Sequence, residues 1–194
     1  MTQPRTPHPY VSARFAHQLE MVHPQRHRAD VPALPAGYTL RSFRDGDEPA
    51  YEELFRLGWP DVGTLPHTRA HALAGGVLVV EHDATAQLVA SCVAFGPESP
   101  RHPGDGSLGW LVVDPAQGRR RLGTVVAATV TNRLVDEGYA LPWLGTEDDR
   151  LVAVGIYLAL GWQPHLYVEG MDARWQDIFA RLGRKFSPSD CVSL

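Results

Sequence analysis

The stretch that decides the fold is Leu108-Gly-Trp-Leu-Val-Val-Asp-Pro-Ala-Gln-Gly-Arg-Arg-Arg-Leu-Gly-Thr124. Its apolar start, Leu108 and Trp110 to Val113, reads as a strand, and Pro115 ends it because proline offers no ladder donor. A turn rich in glycine and arginine follows. Beyond it, Leu122, Val126, Val130 and Leu134 recur every four residues, the spacing of one helical face. The unit is strand, tight loop, helix, with Gly118 and Gly123 flanking the helix start. The first turn of an α-helix carries N–H groups without intrahelical partners, and the helix dipole makes that end partly positive. Phosphate binds at such ends, and Arg119, Arg120 and Arg121 add full charges beside this one. These residues describe a pyrophosphate cradle.

The unit resembles motif A of the GCN5-related N-acetyltransferases: a strand, a proline, then (Arg/Gln)-x-x-Gly-x-(Gly/Ala) opening a helix. The pattern falls on Gly118-Arg-Arg-Arg121-Leu-Gly123, with Gly118 where Arg or Gln is usual and Arg121 in place of the first glycine. A second stretch, Arg150-Leu-Val-Ala-Val-Gly-Ile-Tyr157-Leu-Ala-Leu-Gly161-Trp162, is similar to the family's later motif Asn-x-x-Ala-Ile-x-Leu-Tyr-x-x-x-Gly-Phe. Ala153, Tyr157 and Gly161 are in register, and Arg150 stands where Asn is usual. The resemblance implies an α/β (α+β) fold: a mixed, mostly antiparallel sheet of six to seven strands, helices on both faces, central strands splayed.

The resemblance also implies acetyl-CoA as co-substrate and CoA as product. Gly118, Arg119, Arg120, Arg121, Leu122, Gly123 and Thr124 would wrap the pyrophosphate, with Arg150 as a further contact. Leu111, Val112 and Val113 would hydrogen-bond the pantetheine arm, and a backbone N–H near Val113 would steady the oxyanion. Tyr157 occupies the position that protonates the departing thiolate. A thiol near pKa 8.5 and a phenol near 10 make that transfer feasible without a large shift.

The rest of the chain is read from its residues. At 194 residues with two cysteines, Cys92 and Cys191, in unlike contexts, it suits one domain in a reducing cytoplasm without a disulfide framework. The net charge of −4 gives no reason to expect nucleic acid, and no apolar run reaches the length of a membrane span. Residues 1–35, rich in Pro, His and Arg with an amphipathic patch from Val11 to Val22, are expected to form a flexible or loosely docked arm, leaving 36–194 as the acetyltransferase-like domain. The arm's histidines, His8, His17, His23 and His27, do not recur at metal-ligand spacing, so no metal site is expected.

Tyr38 to Phe43 alternates as a first strand, and Asp47-Glu48-Pro49 starts a helix with Asp47 as its cap. A second helix is expected over His67 to Ala74. In the resembled fold these two helices roof the acceptor, which makes Trp59, His67 and His71 candidates for lining it. Val77 to His82 and Leu88 to Phe95 form a hairpin, and residues 96–106 an irregular loop on which Glu98 and His102 could reach a substrate. Leu141 to Gly145 is a strand; Asp148 or Asp149 can cap the helix that follows. Leu166 to Met171 is expected as a last strand and Ala173 to Leu182 as a terminal helix.

A protonated alkyl amine has a pKa of about 10 and must lose a proton before it attacks. Glu147, at a strand end, is the first choice for that base, with Asp148 next. The leading expectation is an acetyl-CoA-dependent N-acyltransferase, monomer or homodimer, acting on an amine of a small molecule, amino acid or protein. The alternative is a catalytically silent acyl-CoA-binding sensor. A nucleotide binder is disfavoured, because neither a Gly-Lys-Ser/Thr loop nor a Rossmann glycine triplet is present.

Overall fold

The computed structural model describes residues 17–24, 27–60 and 65–193. Seven strands, β1 (Leu19–Val22), β2 (Tyr38–Ser42), β3 (Ala72–His82), β4 (Gln87–Phe95), β5 (Ser107–Val113), β6 (Trp143–Thr146) and β7 (Gln163–His165), form one sheet in the order β2-β3-β4-β5-β6-β1-β7. Every neighbouring pair is antiparallel except β5 and β6. The helices are α1 (Glu48–Arg56), α2 (Leu65–His71), α3 (Leu122–Asp136), α4 (Leu151–Ala159) and α5 (Met171–Arg181).

Side chains alternate across a strand, so each face of the sheet collects its own core. Val79 joins Val93, Phe95 and Val112 under Tyr51, Leu54 and Phe55 of α1 and Leu65 of α2. Its neighbour Val80 joins Cys92, Leu144 and Met21 on the opposite face, under α3, α4 and α5. Helices thus cover both faces.

α3 is helical despite its β-branched run. Leu122, Val126, Val130 and Leu134 are at most 1% exposed, and Ala127 and Ala128 are fully buried, so several sides of the helix are packed. The threonine hydroxyls within it donate to the preceding turn, Thr129 Oγ1 to Val125 O at 2.8 Å and Thr131 Oγ1 to Ala127 O at 2.8 Å. Trp162 Nε1 donates to Thr131 Oγ1 at 3.0 Å and ties the end of α4 to α3.

Three expectations need correction. The arm expected over residues 1–35 is, where described, not loosely docked: Leu19–Val22 lies inside the sheet between β6 and β7, with Leu19, Met21 and Val22 fully buried. Its earlier part, Val11 to Ala16 included, lies outside the described residues. The last strand is Gln163–His165 rather than Leu166 to Met171, because β1 supplies the ladder that fixes it. The second helix stops at His71, since Ala72 already pairs with Phe95 and β3 takes up the following residues.

Asp47 and the acids before α4 also behave differently from simple caps. Asp47 sits at the N-cap position of α1, but its carboxylate accepts from Arg44 N at 2.9 Å and pairs with Arg41, which also holds Glu81. Asp148 accepts from Arg174 Nε at 3.0 Å, leaving Arg150 at the N-cap of α4 without a side-chain cap. Among the described residues no helix is long and apolar enough to cross a membrane.

Candidate active site

β5 is where the sheet opens. Against β4 its register slips between Ser91 and Val93, so Trp110 and Leu111 together face Cys92 as a bulge. Trp110 takes φ +54°, a conformation rare for a bulky side chain. The Cys92 thiol donates to Gly109 O at 3.5 Å on the side of the slip. Against β6, β5 pairs only at Ser107↔Trp143 and Leu108↔Leu144. From Gly109 onward the two parallel strands have no ladder between them, which leaves Leu111, Val112 and Val113 without a ladder partner on β6.

The loop after β5 is tightly built. Asp114 N donates to Val89 O at 2.8 Å, and the Asp114 carboxylate accepts from Ala116 N at 2.9 Å, which starts a single 3₁₀ turn over Pro115–Gln117. Arg119 and Arg121 then take φ +62° and +61°. Val125 N to Arg121 O is the first bond of α3, and no side chain caps that end. The N–H groups of Leu122, Gly123 and Thr124 therefore precede the helical ladder, as an anion site requires.

Arg119, Arg120 and Arg121 are exposed, and none of the three forms an ion pair among the described residues. Arg120 lies 5.9 Å from the centre of the Tyr38 ring, whose hydroxyl donates to Gln117 Oε1 at 2.6 Å. The Leu122 side chain is buried in the core, so only its backbone is available at the loop. A Cβ on Gly123 would stand 3.2 Å from Val113 Cγ2 and 3.3 Å from Ile156 Cδ1. Glycine here lets the helix mouth press against both the end of β5 and α4.

Tyr157, on α4, faces the same core as Cys92 and is 5% exposed. Burial pushes its phenol far above the ordinary value; the Cys92 thiol adds to this and the Arg150 charge opposes it. Arg150 does not reach back along α4. Its Nη2 donates to Gly58 O at 3.1 Å, and its guanidinium lies 4.4 Å from the centre of the Trp59 ring. Trp59 stacks on Phe55 at 4.8 Å and meets Trp110 edge-on at 5.1 Å. Arg150 thus bridges from the α4 side to the aromatic group beneath α1.

Glu147 is half-buried just past β6, and its Oε1 accepts from Gln18 Nε2 at 3.1 Å. His67 and His71 are exposed on α2 and stack at 4.2 Å, and the His67 ring lies 6.0 Å from that of Phe95. The sequence-selected residues thus fall into two groups. The end of β5, the helix mouth at Gly123 and α4 pack together, and Arg150 links α4 to Trp59, whereas the two histidines gather with Glu98 on the surface.

One polar cluster was not legible as a set, and His102, expected on a loop within reach of a substrate, is instead buried in it. Glu20 of β1 accepts from His102 Nε2 at 2.9 Å and His165 Nδ1 at 3.1 Å on one oxygen, and from Arg101 Nε at 2.9 Å on the other. Burial alone would raise the Glu20 carboxyl, but the two imidazole hydrogen bonds and the Arg101 charge carry it down to about 2. His102 also stacks on Trp143 at 4.8 Å. These residues come from 20, 101–102 and 165, so only the fold assembles them.

Residues 40–162 match the Acetyltransferase (GNAT) family. A mycothiol acetyltransferase of Sanguibacter keddieii is 33% identical over 146 residues, covering 68% of this chain and 46% of that protein. The structure of a GCN5-related N-acetyltransferase from Sphaerobacter thermophilus superposes with TM-score 0.60 at 20% identity, over 75% of this chain and 47% of the other. One from Kribbella flavida superposes with TM-score 0.52 at 22% identity, over 76% and 54%. The chain spans about half the length of these relatives. With the family match covering most of its sheet and both motif-bearing helices, this chain belongs to the GNAT acetyltransferase family.

Proposed function

We propose that the chain is an acetyl-CoA-dependent N-acyltransferase that moves an acetyl group directly to a primary amine. The observation that carries this reading is the loss of pairing between β5 and β6 beyond Leu108, followed at once by the uncapped start of α3. A free strand edge and an anion-binding helix end in series match a long ligand with a diphosphate at one end.

Acetyl-CoA supplies an acyl thioester already activated toward an amine. The backbone of Gly118 and the N–H groups of Leu122, Gly123 and Thr124 would hold its diphosphate, with Arg119, Arg120 and Arg121 as charged partners. Leu111, Val112 and Val113 would hold the pantetheine arm through backbone groups, and a donor near Val113 would polarise the thioester carbonyl. Tyr157 remains the proposed proton donor to the departing sulfur on its place in the motif; it enters protonated, but contrary to the unshifted phenol expected from the sequence, its burial makes giving that proton up harder. Glu147 is the proposed acceptor of the amine proton, directly or through a water. Arg150 would hold the aromatic group of Phe55, Trp59 and Trp110 in place. The protein is read as a cytoplasmic monomer or homodimer.

Release of free thiol from acetyl-CoA, followed against a panel of primary amines, tests this. The expected outcome is amine-dependent release. Tyr157→Phe should lower turnover by about a hundredfold or more while leaving CoA affinity by calorimetry near that of the unaltered chain. CoA binding with no release on any amine would favour the silent sensor; no CoA binding would remove the reading altogether.

A further inference from the structure

Two clusters of metal-ligating side chains occur among the described residues, and they differ in kind. In the buried cluster of Glu20, His102 and His165, the imidazole N–H groups already point at the carboxylate, and Arg101 holds its other oxygen. That carboxylate is saturated, and its charge is matched. The second cluster is open to solvent: His67 and His71 of α2 and Glu98 of the β4–β5 loop each offer one ligand atom, all within 4.8 Å of one another.

The two histidines stand four residues apart, so they occupy one face of the helix. His71 Nδ1 donates to the His67 carbonyl oxygen at 3.0 Å, which fixes the tautomer and leaves Nε2 with its lone pair outward. His67 Nε2 lies 3.3 Å from Glu98 Oε2, a solvent-exposed contact that a metal ion would replace, and one ligand atom of each residue lies within 4.8 Å of the other two. The loop is registered against the helix by two backbone features. Gly96 N donates to His71 O at 2.9 Å, and Ala72 pairs with Phe95. Ligands on separate elements are thus already held close together.

From this arrangement we propose that His67, His71 and Glu98 form a surface site for a late first-row divalent metal ion. Two imidazoles and one carboxylate suit zinc, nickel, cobalt or copper rather than magnesium or calcium, which take oxygen ligands. Three protein ligands leave coordination positions for water or for a donor group on an incoming molecule. The bound ion pins α2 to the β4–β5 loop and so stiffens the outer rim of the α1–α2 layer. The two histidines drew attention in the sequence as pocket residues; Glu98, distant in sequence, turns them into a chelating set.

The test is titration of the metal-free full chain with cobalt(II), read by visible absorption, and with zinc(II), read by calorimetry. One equivalent should saturate the site, and zinc should raise the melting temperature. The His67→Ala/His71→Ala variant and the Glu98→Gln variant should each bind at least about tenfold more weakly. His82→Ala, on the β3–β4 turn where His82 Nδ1 contacts Thr85 Oγ1 at 2.9 Å, should bind as the unaltered chain does. Absence of a cobalt spectrum and of binding heat overturns the proposal, as does unchanged affinity in the double variant. If the double variant does not fold, unchanged affinity in Glu98→Gln overturns it instead. None of these readouts involves acetyl transfer, so the site and the enzymatic reading stand or fall separately.

Discussion

Arg121 shows how one residue departs from its motif and still takes a glycine-like backbone shape. The family pattern places glycine there, and φ +61° gives the reason: the backbone turns left-handed just before α3 begins. An L-residue with a Cβ adopts that turn at a cost of about 1–2 kcal/mol, which glycine avoids. Arg121→Gly should therefore raise stability by about 1 kcal/mol, seen as a higher melting temperature, while weakening CoA binding through the lost charge. A variant with the melting temperature unchanged would mean the turn is not strained at this residue. None of this was legible in the sequence, where an arginine triplet speaks of charge and not of torsion angles. Trp110 at φ +54° is the same lesson at the bulge: its hydrophobicity announced a strand, and its backbone puts a bulge in it.

At the scale of elements, the strand–loop–helix unit and α3 were legible because their signals are local. A proline stop, a glycine pair and a four-residue period all fall within one short stretch. The strands β1 and β7 were not. Leu19–Val22 carries a glutamate in its middle, and Gln163–His165 carries a proline that only an edge strand tolerates. Both exist because each pairs with the other and β1 also with β6, contacts between residues far apart in sequence. The residues proposed to hold CoA were picked out by motif, but Gln18 beside Glu147 and the Glu20 cluster were invisible for the same non-local reason.

The Glu20 cluster gives β1 a defined response to acid. Its folded-state carboxyl titrates at about 2, below its ordinary value of 4.5, so the folded form holds fewer protons than the unfolded form between those limits. The stabilisation is fully present above about pH 4.5 and is lost as the pH falls toward 2, and the linkage is on the order of 3 kcal/mol. Glu20→Gln should flatten that portion of the stability curve measured by denaturant melts between pH 5 and roughly 2. A variant with the slope of the unaltered chain would exclude Glu20 as its source.

For the whole molecule, the decisive feature is that β1 completes a sheet whose other strands in that half lie near the opposite end of the described chain. Val22 meets Trp143, and Glu20 meets His165. Without residues 17–24, β6 and β7 face each other across a missing strand, leaving two unsatisfied edges of the sort that recruit other chains. A chain starting at residue 25 should aggregate, and a synthetic peptide of residues 1–24 added during refolding should restore a soluble, cooperatively melting species. A truncated chain that melts cooperatively alone would show β1 to be dispensable.

On the ribosome this arrangement imposes a wait. The Leu19–Val22 segment emerges long before Trp143–Thr146 and Gln163–His165, so it must wait beside the ribosome with neither neighbour yet made. Until both are made, a strand with two unpaired edges is open to pairing with other chains.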